Sequence, residues 1–433
     1  MRTLLFTGPG GAGTSTLAAS AAVGASRAGH RTLLLSRQDG PALGGVRSLD
    51  VVRVDPQAAA ERLWQTVSGS LAPVLPQLTF PPSTSVVPLP GAADLALFAE
   101  LADADADLVV LDAGPLEAAT ALLALPAALR WWLDQLLPPG MRALAAVRTA
   151  AVGSGAARRG PIDAGLAAVP LLEALLARDR LAGPADTALC LVAPPTTAAA
   201  DRVRVAVPAL ALHGLRPAAV LTRTPPLEGP EEWATARQAD RDAALEAFTA
   251  MAPVRQVAER AVGPTDADGL AELLDGFCPG PVAPSTPSGA ERREGFWQLT
   301  VPLPFAERAD VTLTRWVDDL VITVGGSRRS LALDPLLRRC AVTGGRLANP
   351  GGADARLEVC FRPDPQQWRP TYWPPTRGPH DRPTRLARPG PPAAGHPRPE
   401  PARPGRRGEL REHRLWRRLH LVSTLLRRGR RAR

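Results

Sequence analysis

The segment from Thr3 to Ser20 constrains this chain more than any other. Five residues of β type, Thr3-Leu4-Leu5-Phe6-Thr7, run into Gly8-Pro9-Gly10-Gly11-Ala12-Gly13-Thr14-Ser15-Thr16, and that turn opens directly into Leu17-Ala18-Ala19-Ser20. Strand, glycine loop and helix in this order bring backbone N–H groups and the positive end of a helix to one point, which suits a phosphate group. The glycines fit two patterns. Gly8, Gly10 and Gly13 match G-x-G-x-x-G, the turn of dinucleotide-binding folds. Gly8 through Ser15 also match the skeleton of G-x-x-x-x-G-K-[ST], except that Thr14 stands where lysine belongs. Under the dinucleotide reading, Arg37, just after a second strand, would accept the 2′-phosphate of NADP.

The rest of residues 1–278 alternates short apolar runs with Ala/Leu-rich helical stretches, the signature of a parallel sheet flanked by helices. The runs predict strands at Thr3–Thr7, Thr32–Ser36, Val51–Val54, Leu108–Leu111, Leu189–Val192 and Ala218–Thr222. Helices are expected at Asp94–Leu101, Leu116–Leu125, Ala127–Leu137 and Leu166–Leu181, with residues 138–184 forming a helical insert. The run Leu108-Val109-Val110-Leu111 ends in Asp112-Ala113-Gly114-Pro115. An aspartate at the end of a buried strand either holds the Mg²⁺ shell of a phosphate-loop site or caps the next helix.

Composition bears on the loop. The chain contains no lysine, and Asn349 is its only asparagine. Such a bias matches a GC-rich coding sequence, in which lysine drifts to arginine. Thr14 does not follow that drift.

Taken together, Gly8–Thr16, Asp112-Ala113-Gly114-Pro115, Leu122-Leu123-Ala124-Leu125-Pro126 and Leu129-Arg130-Trp131-Trp132-Leu133-Asp134 resemble the arsenite-pump/tail-anchored-protein-targeting ATPase family, the ArsA type. That family's loop is G-K-G-G-x-G-K-[ST]-T and its second motif D-T-A-P. The resemblance implies a P-loop NTPase-type sheet binding ATP and Mg²⁺. It implies cofactor-binding roles for Gly8, Gly10, Gly11, Ala12, Gly13, Thr14, Ser15 and Thr16, and metal-binding roles for Ser15 and Asp112. The water-orienting position corresponds to Gln38, or to Asp39 with one residue inserted. The base-reading V-N-R run corresponds to Leu221-Thr222-Arg223, which brings Thr222 and Arg223 into the cofactor site. Several departures are evident. Pro9 and Thr14 replace both signature lysines, the histidine after D-T-A-P is absent from Leu116-Glu117-Ala118, and the family's metal cysteines have no equivalent. Missing cations weaken phosphoryl transfer severely, so the resemblance implies weak ATP binding with reduced or lost hydrolysis. With one loop per chain, it also implies a homodimer or a heterodimer with an intact relative, in client handling or membrane-coupled transport. Trp131, Trp132 and the leucines of 171–181 are candidate client surface, although large apolar side chains of this kind are expected in the core.

Residues 279–294 read as a Pro/Ser/Gly-rich and then charged linker. Short alternating runs follow at Phe296–Leu303, Val311–Arg315, Leu320–Val324, Ser330–Leu333, Cys340–Thr343 and Arg356–Phe361, predicting a small all-β sandwich over 295–362. They resemble the small-heat-shock-like domain that follows the ATPase domain in some bacterial members. Residues 363–433 are Pro/Arg-rich, read as a disordered basic tail, with a possible amphipathic helix over 409–428 that would give peripheral contact with an anionic membrane. The net charge of +9 is concentrated there, so no nucleic-acid-binding fold is implied. Cys190, Cys278, Cys340 and Cys360 form no C-x-x-C pair, which fits a reducing cytoplasm. No uninterrupted run reaches the about 18 apolar residues of a membrane span. Two alternatives remain from sequence: an NADP-dependent oxidoreductase, disfavoured because the only tyrosine is Tyr372, and a non-catalytic chaperone-like scaffold.

Overall fold

The apolar runs of the N-terminal half become strands of one parallel sheet. The computed structural model describes residues 2–365 apart from 39, 41–42, 44, 73–78, 158–159, 182–185, 284 and 286. In chain order the elements are β1 (Arg2–Gly8), α1 (Thr14–Arg27), β2 (Thr32–Ser36), β3 (Leu49–Arg53), α2 (Pro56–Leu71), α3 (Ala92–Asp103), β4 (Leu108–Pro115) and α4 (Leu116–Leu136). They continue with α5 (Pro139–Gly153), α6 (Pro161–Ala177), β5 (Thr187–Val192), α7 (Thr197–Leu212), β6 (Pro217–Thr224), α8 (Glu231–Thr249), β7 (Val254–Ala258) and α9 (Ala267–Leu273). The sheet order is β3-β2-β4-β1-β5-β6-β7, every pairing parallel.

Burial explains which strands were legible. β4, β5 and β6 are enclosed on both faces and read as continuous apolar runs. β7 lies at the sheet edge with only Val257 buried, so Val254-Arg255-Gln256-Val257-Ala258 carries little apolar signal. One face packs Leu17, Ala18 and Ala22 of α1 and Leu270 of α9 against Leu4, Phe6 and Val110. The other buries Leu97, Phe98, Leu122, Val203 and Phe248 of α3, α4, α7 and α8.

The two helices expected on either side of Pro126 are one, α4, with Pro126 buried inside it. An interior proline costs about 3 kcal/mol. Burying Leu116, Leu122, Leu123 and Leu133 along one face contributes roughly 1.5–3 kcal/mol each, so packing outweighs the lost hydrogen bond. The expectation that Trp131, Trp132 and the leucines of 171–181 are core is corrected in part. Trp132 is 56 % exposed and Leu171 69 %, whereas Leu176 and Leu181 are buried. No helix among the described residues is long and apolar enough to cross a membrane. The basic segment 409–428 lies outside the described residues.

The C-terminal part forms β8 (Glu291–Arg293), β9 (Phe296–Pro302), β10 (Thr312–Trp316), β11 (Asp319–Val324), β12 (Ser327–Ala332), α10 (Pro335–Arg338), β13 (Cys340–Ala348) and β14 (Arg356–Pro363). Two antiparallel sheets, β10-β11-β12 and β13-β14-β9-β8, enclose Leu299, Val301, Ile322, Val324, Val359 and Phe361. β8 falls within the segment read as linker. The sandwich is seated on α7, whose last residue, Leu212, enters its core. Gly325, in the left-handed region at φ 55°, lets the β11–β12 turn approach closely, since a Cβ there would lie 3.2 Å from the Val205 carbonyl oxygen. Arg204 Nη2 donates to Gly351 O at 2.6 Å, Arg329 Nη1 donates to Leu212 O at 2.5 Å, and His213 Nε2 lies 2.8 Å from Ser327 Oγ.

Burial, and secondarily the charge of Arg329, pull the His213 imidazole down to about 4. An unfolded histidine titrates near about 6.5, so between these values the unfolded chain holds the extra proton. Stability from this group is therefore present above pH 6.5 and is lost as pH falls toward 4, by roughly 3 kcal/mol in total. Urea unfolding at pH 7.0 and 4.5 should show a smaller acid loss in His213→Gln than in the parent chain; equal losses would show that His213 does not carry this dependence.

Candidate functional site

Gly8 ends β1 beside the backbone of β5. A Cβ at Gly8 would fall 1.9 Å from the Val192 carbonyl oxygen, so only glycine fits. Gly10, Gly11 and Gly13 take φ of 93°, 69° and 86°, the left-handed conformation that lets the loop turn under the helix. Gly10 and Gly11 are exposed, with open space around the points where side chains would project. Gly13 is the N-cap of α1, and no side chain caps the helix. The first turn of α1 carries no acidic residue, so its positive pole is not offset from within the helix. Ala12 and Pro9 are buried, while Thr14, Ser15 and Thr16 are half-buried.

Three of the sequence-derived residues meet at one end of this loop. Ser15 Oγ donates to Gln38 Oε1 at 3.3 Å, and the Gln38 backbone N–H donates to Ser36 Oγ at 3.1 Å. Ser36 Oγ lies 3.2 Å from Asp112 Oδ2, and Asp112 Oδ1 accepts the Gly114 N–H at 3.1 Å. Asp112 is 2 % exposed, and its carboxylate is held by both partners. Thr7 Oγ1 donates to Gly114 O at 2.8 Å, tying the end of β1 to that of β4. Ser15, Ser36, Gln38, Arg53 and Asp112 line a single cleft of about 150 Å³. A hydroxyl and a carboxylate are hard oxygen donors of the kind Mg²⁺ takes alongside phosphate and water. The exposed glycine backbone and this donor pair fit a Mg²⁺-bound polyphosphate.

The remaining assignments separate. Asp39 lies outside the described residues. Thr222 and Arg223 point to opposite faces of β6, because side chains alternate along a strand. Leu221 joins the α1 side of the core and Val220 the other. Thr222 is fully buried with its hydroxyl unpartnered, whereas the Arg223 side chain lies against the loop, its Nε 3.2 Å from the point where a Gly13 Cβ would sit. Ser36 and Arg53 were not anticipated in the site. They come from the parallel register that sets Ser36 opposite Asp112 and Arg53 opposite Ser36, which is visible only once the strand order is known.

The dinucleotide alternative is overturned. In that fold the first two strands pair directly, but here β4 stands between β1 and β2. Arg37, offered for a 2′-phosphate, is instead paired to Asp94 at 2.6 Å, with both side chains 19 % exposed.

Strand order and loop together define a phosphate-loop α/β protein. A family described as "Anion-transporting ATPase" matches residues 1–224, and an "HSP20-like domain found in ArsA" matches residues 294–361. The chain therefore belongs to the anion-transporting ATPase family, with the HSP20-like domain following. Among similar proteins, the uncharacterized protein SCO2128 of Streptomyces coelicolor is 37 % identical over 85 % of this chain and 99 % of its own length. Protein Rv2184c of Mycobacterium tuberculosis is 30 % identical over 85 % of this chain and 97 % of its own.

The loop geometry makes a stability prediction. Gly8→Ala must displace the β5 backbone, whereas Gly10→Ala meets open space and incurs only the left-handed strain of about 1–2 kcal/mol. Gly8→Ala should lower the thermal midpoint more than Gly10→Ala; the reverse order would contradict the placement of β1 against β5.

Proposed function

We propose that this protein binds ATP with Mg²⁺ weakly at Gly8–Thr16 and hydrolyses it slowly or not at all, acting as one half of a dimer. The observation that carries the reading is the convergence of Ser15, Gln38 and Asp112 on one cleft at the end of an exposed glycine loop in which Pro9 and Thr14 replace lysines. Binding draws on the backbone N–H groups and the α1 dipole, which the fold supplies. Ser15 and Asp112 would hold Mg²⁺, whose role is to neutralise phosphate charge. Gln38 offers a neutral amide where a water-orienting carboxylate would be more effective. A well-placed cation is worth on the order of 10³–10⁵ in phosphoryl-transfer rate, and neither loop lysine is available. One loop per chain leaves the other half to a second copy or to an intact relative.

Client handling is the accompanying reading. A groove of about 750 Å³ runs between α2, the 86–92 segment, α4 and α6, lined by Leu63, Val87, Leu89, Leu125 and Leu172. Leu63, Val87 and Leu89 are 57 %, 82 % and 79 % exposed, an apolar surface suited to a hydrophobic segment. The HSP20-like domain fits the same chaperone-like role. Peripheral membrane contact through residues 409–428 belongs to this reading and is read out by liposome co-sedimentation of the full chain against residues 1–365.

Titration of a fluorescent ATP analogue should show Mg²⁺-dependent binding at sub-millimolar to millimolar concentration, and Asp112→Asn should remove the Mg²⁺ dependence. Phosphate release should be slow, and Thr14→Lys should raise it at least tenfold, a small part of a cation's worth. Absence of binding up to millimolar ATP, in both the parent chain and Thr14→Lys, would sink the nucleotide reading.

A further inference from the structure

The lost lysine leaves a specific question, namely which positive charge meets the phosphates. We infer that Arg223 supplies it: its guanidinium, delivered from the end of β6, is the phosphate-binding cation of this loop in place of the lysine missing at Thr14. The inference rests on the nucleotide reading above and gives Arg223 a phosphate-binding role within it, distinct from a contact to the base.

The geometry is direct. Nε, Cζ and Cδ of Arg223 lie 3.2, 3.3 and 3.4 Å from the position a Cβ would take on Gly13, the residue that opens α1. The guanidinium therefore lies against the loop at the helix start, next to the residue that precedes the first-turn N–H groups suited to phosphate. Two like-signed features, the helix pole and a guanidinium, are thus brought together, and no carboxylate of the first turn offsets them. The arginine is incompletely satisfied there. Its Nε is buried without a partner, and Nη2 reaches Glu259 Oε1 only at 4.0 Å, a loose pair with side chains 37 % and 38 % exposed. Exposed pairs of this kind contribute little, so the guanidinium can exchange Glu259 for an anion. Arginine binds phosphate in a planar, often bidentate fork. Thr14 adds no charge, and its Oγ1 lies 3.3 Å from where a Cβ on Gly8 would sit, against the end of β1. Arg37 is engaged by Asp94, and Arg53 lines the cleft with Ser15 and Asp112 and so faces the metal side.

The test is equilibrium binding by the full-length chain of Mg²⁺-ATP, ADP and adenosine, read by calorimetry or by competition with a fluorescent ATP analogue, with thermal melts to confirm folding. Arg223→Ala should weaken ATP and ADP roughly ten- to a hundredfold, the worth of a charge-assisted hydrogen bond, and leave adenosine unchanged. Arg223→Lys should recover part of the loss, Thr14→Lys in the Arg223→Ala background should restore it, and Glu259→Gln should tighten ATP severalfold by releasing the guanidinium. An Arg223→Ala protein that binds ATP as well as or better than the parent overturns the inference. So does an equal loss for adenosine and ATP, which would mark a base contact, or a loss that appears in Arg53→Ala instead. ATP that binds only Thr14→Lys also overturns it while leaving the nucleotide fold standing. ATP that binds neither protein overturns both.

Discussion

The position of β4 between β1 and β2 is the constraint from which the site follows. That order puts the ends of three parallel strands side by side, Phe6 opposite Asp112 and Asp112 opposite Ser36. The loop after β1 therefore meets the Asp112 carboxylate of β4 and the segment after β2 without any long-range loop having to fold over them. Thr7 and Gly114 fasten the arrangement from behind, and Ser36 joins Asp112 to Gln38 from the side. A direct β1–β2 pairing, as in a dinucleotide fold, would remove Asp112 from this neighbourhood. The glycine pattern alone is compatible with either fold, so strand order carries the distinction.

Much of the sheet was legible because its central strands are enclosed on both faces, and uninterrupted apolar runs such as Leu108-Val109-Val110-Leu111 have few other uses. The edge strand Val254–Ala258 was not legible, since a half-exposed strand with Arg255 and Gln256 presents no such run. Pro126 misled in the opposite direction. Local propensity marks a helix break, while the tertiary packing of α4 keeps one continuous helix. Within the site, Ser15, Gln38 and Asp112 were readable from motif spacing, because each sits at a short fixed distance from the apolar run of its strand. Ser36 and Arg53 were not, because their proximity to Asp112 depends on the register between strands far apart in sequence. The divergence of Thr222 from Arg223 follows from strand alternation. It could be stated only after the two faces of β6 were assigned to separate cores.

The sandwich is built into the same framework and does not hang from a tether. Leu212 leaves α7 to enter the sandwich core, and Gly325 removes the side chain that would hold the β11–β12 turn away from α7. The helix that carries the sandwich begins at Thr197, five residues beyond Val192, whose carbonyl crowds Gly8. Asp240 of α8 accepts hydrogen bonds from the Thr197 N–H and hydroxyl at the start of that helix, and these hold its carboxyl below the usual range. The glycine loop and the sandwich are thus anchored at successive points along one β5–α7 unit.

Binding and turnover at a phosphate loop depend on different atoms. The N–H groups and the helix pole belong to the backbone, and the backbone is fixed by contacts that the fold itself requires. Altering Gly8 drives a side chain into β5, and altering Gly13 drives one into Arg223. The cations, in contrast, are single side chains, which one substitution can remove without altering the backbone that forms the loop. A chain without lysine, at positions 9 and 14 as elsewhere, can therefore keep the shape of a phosphate loop for as long as it keeps its sheet. What such a loop can do chemically is set by whether another positive charge stands within reach, and the Arg223 guanidinium that lies against Gly13 from β6 is placed there by the fold and not by the glycine motif.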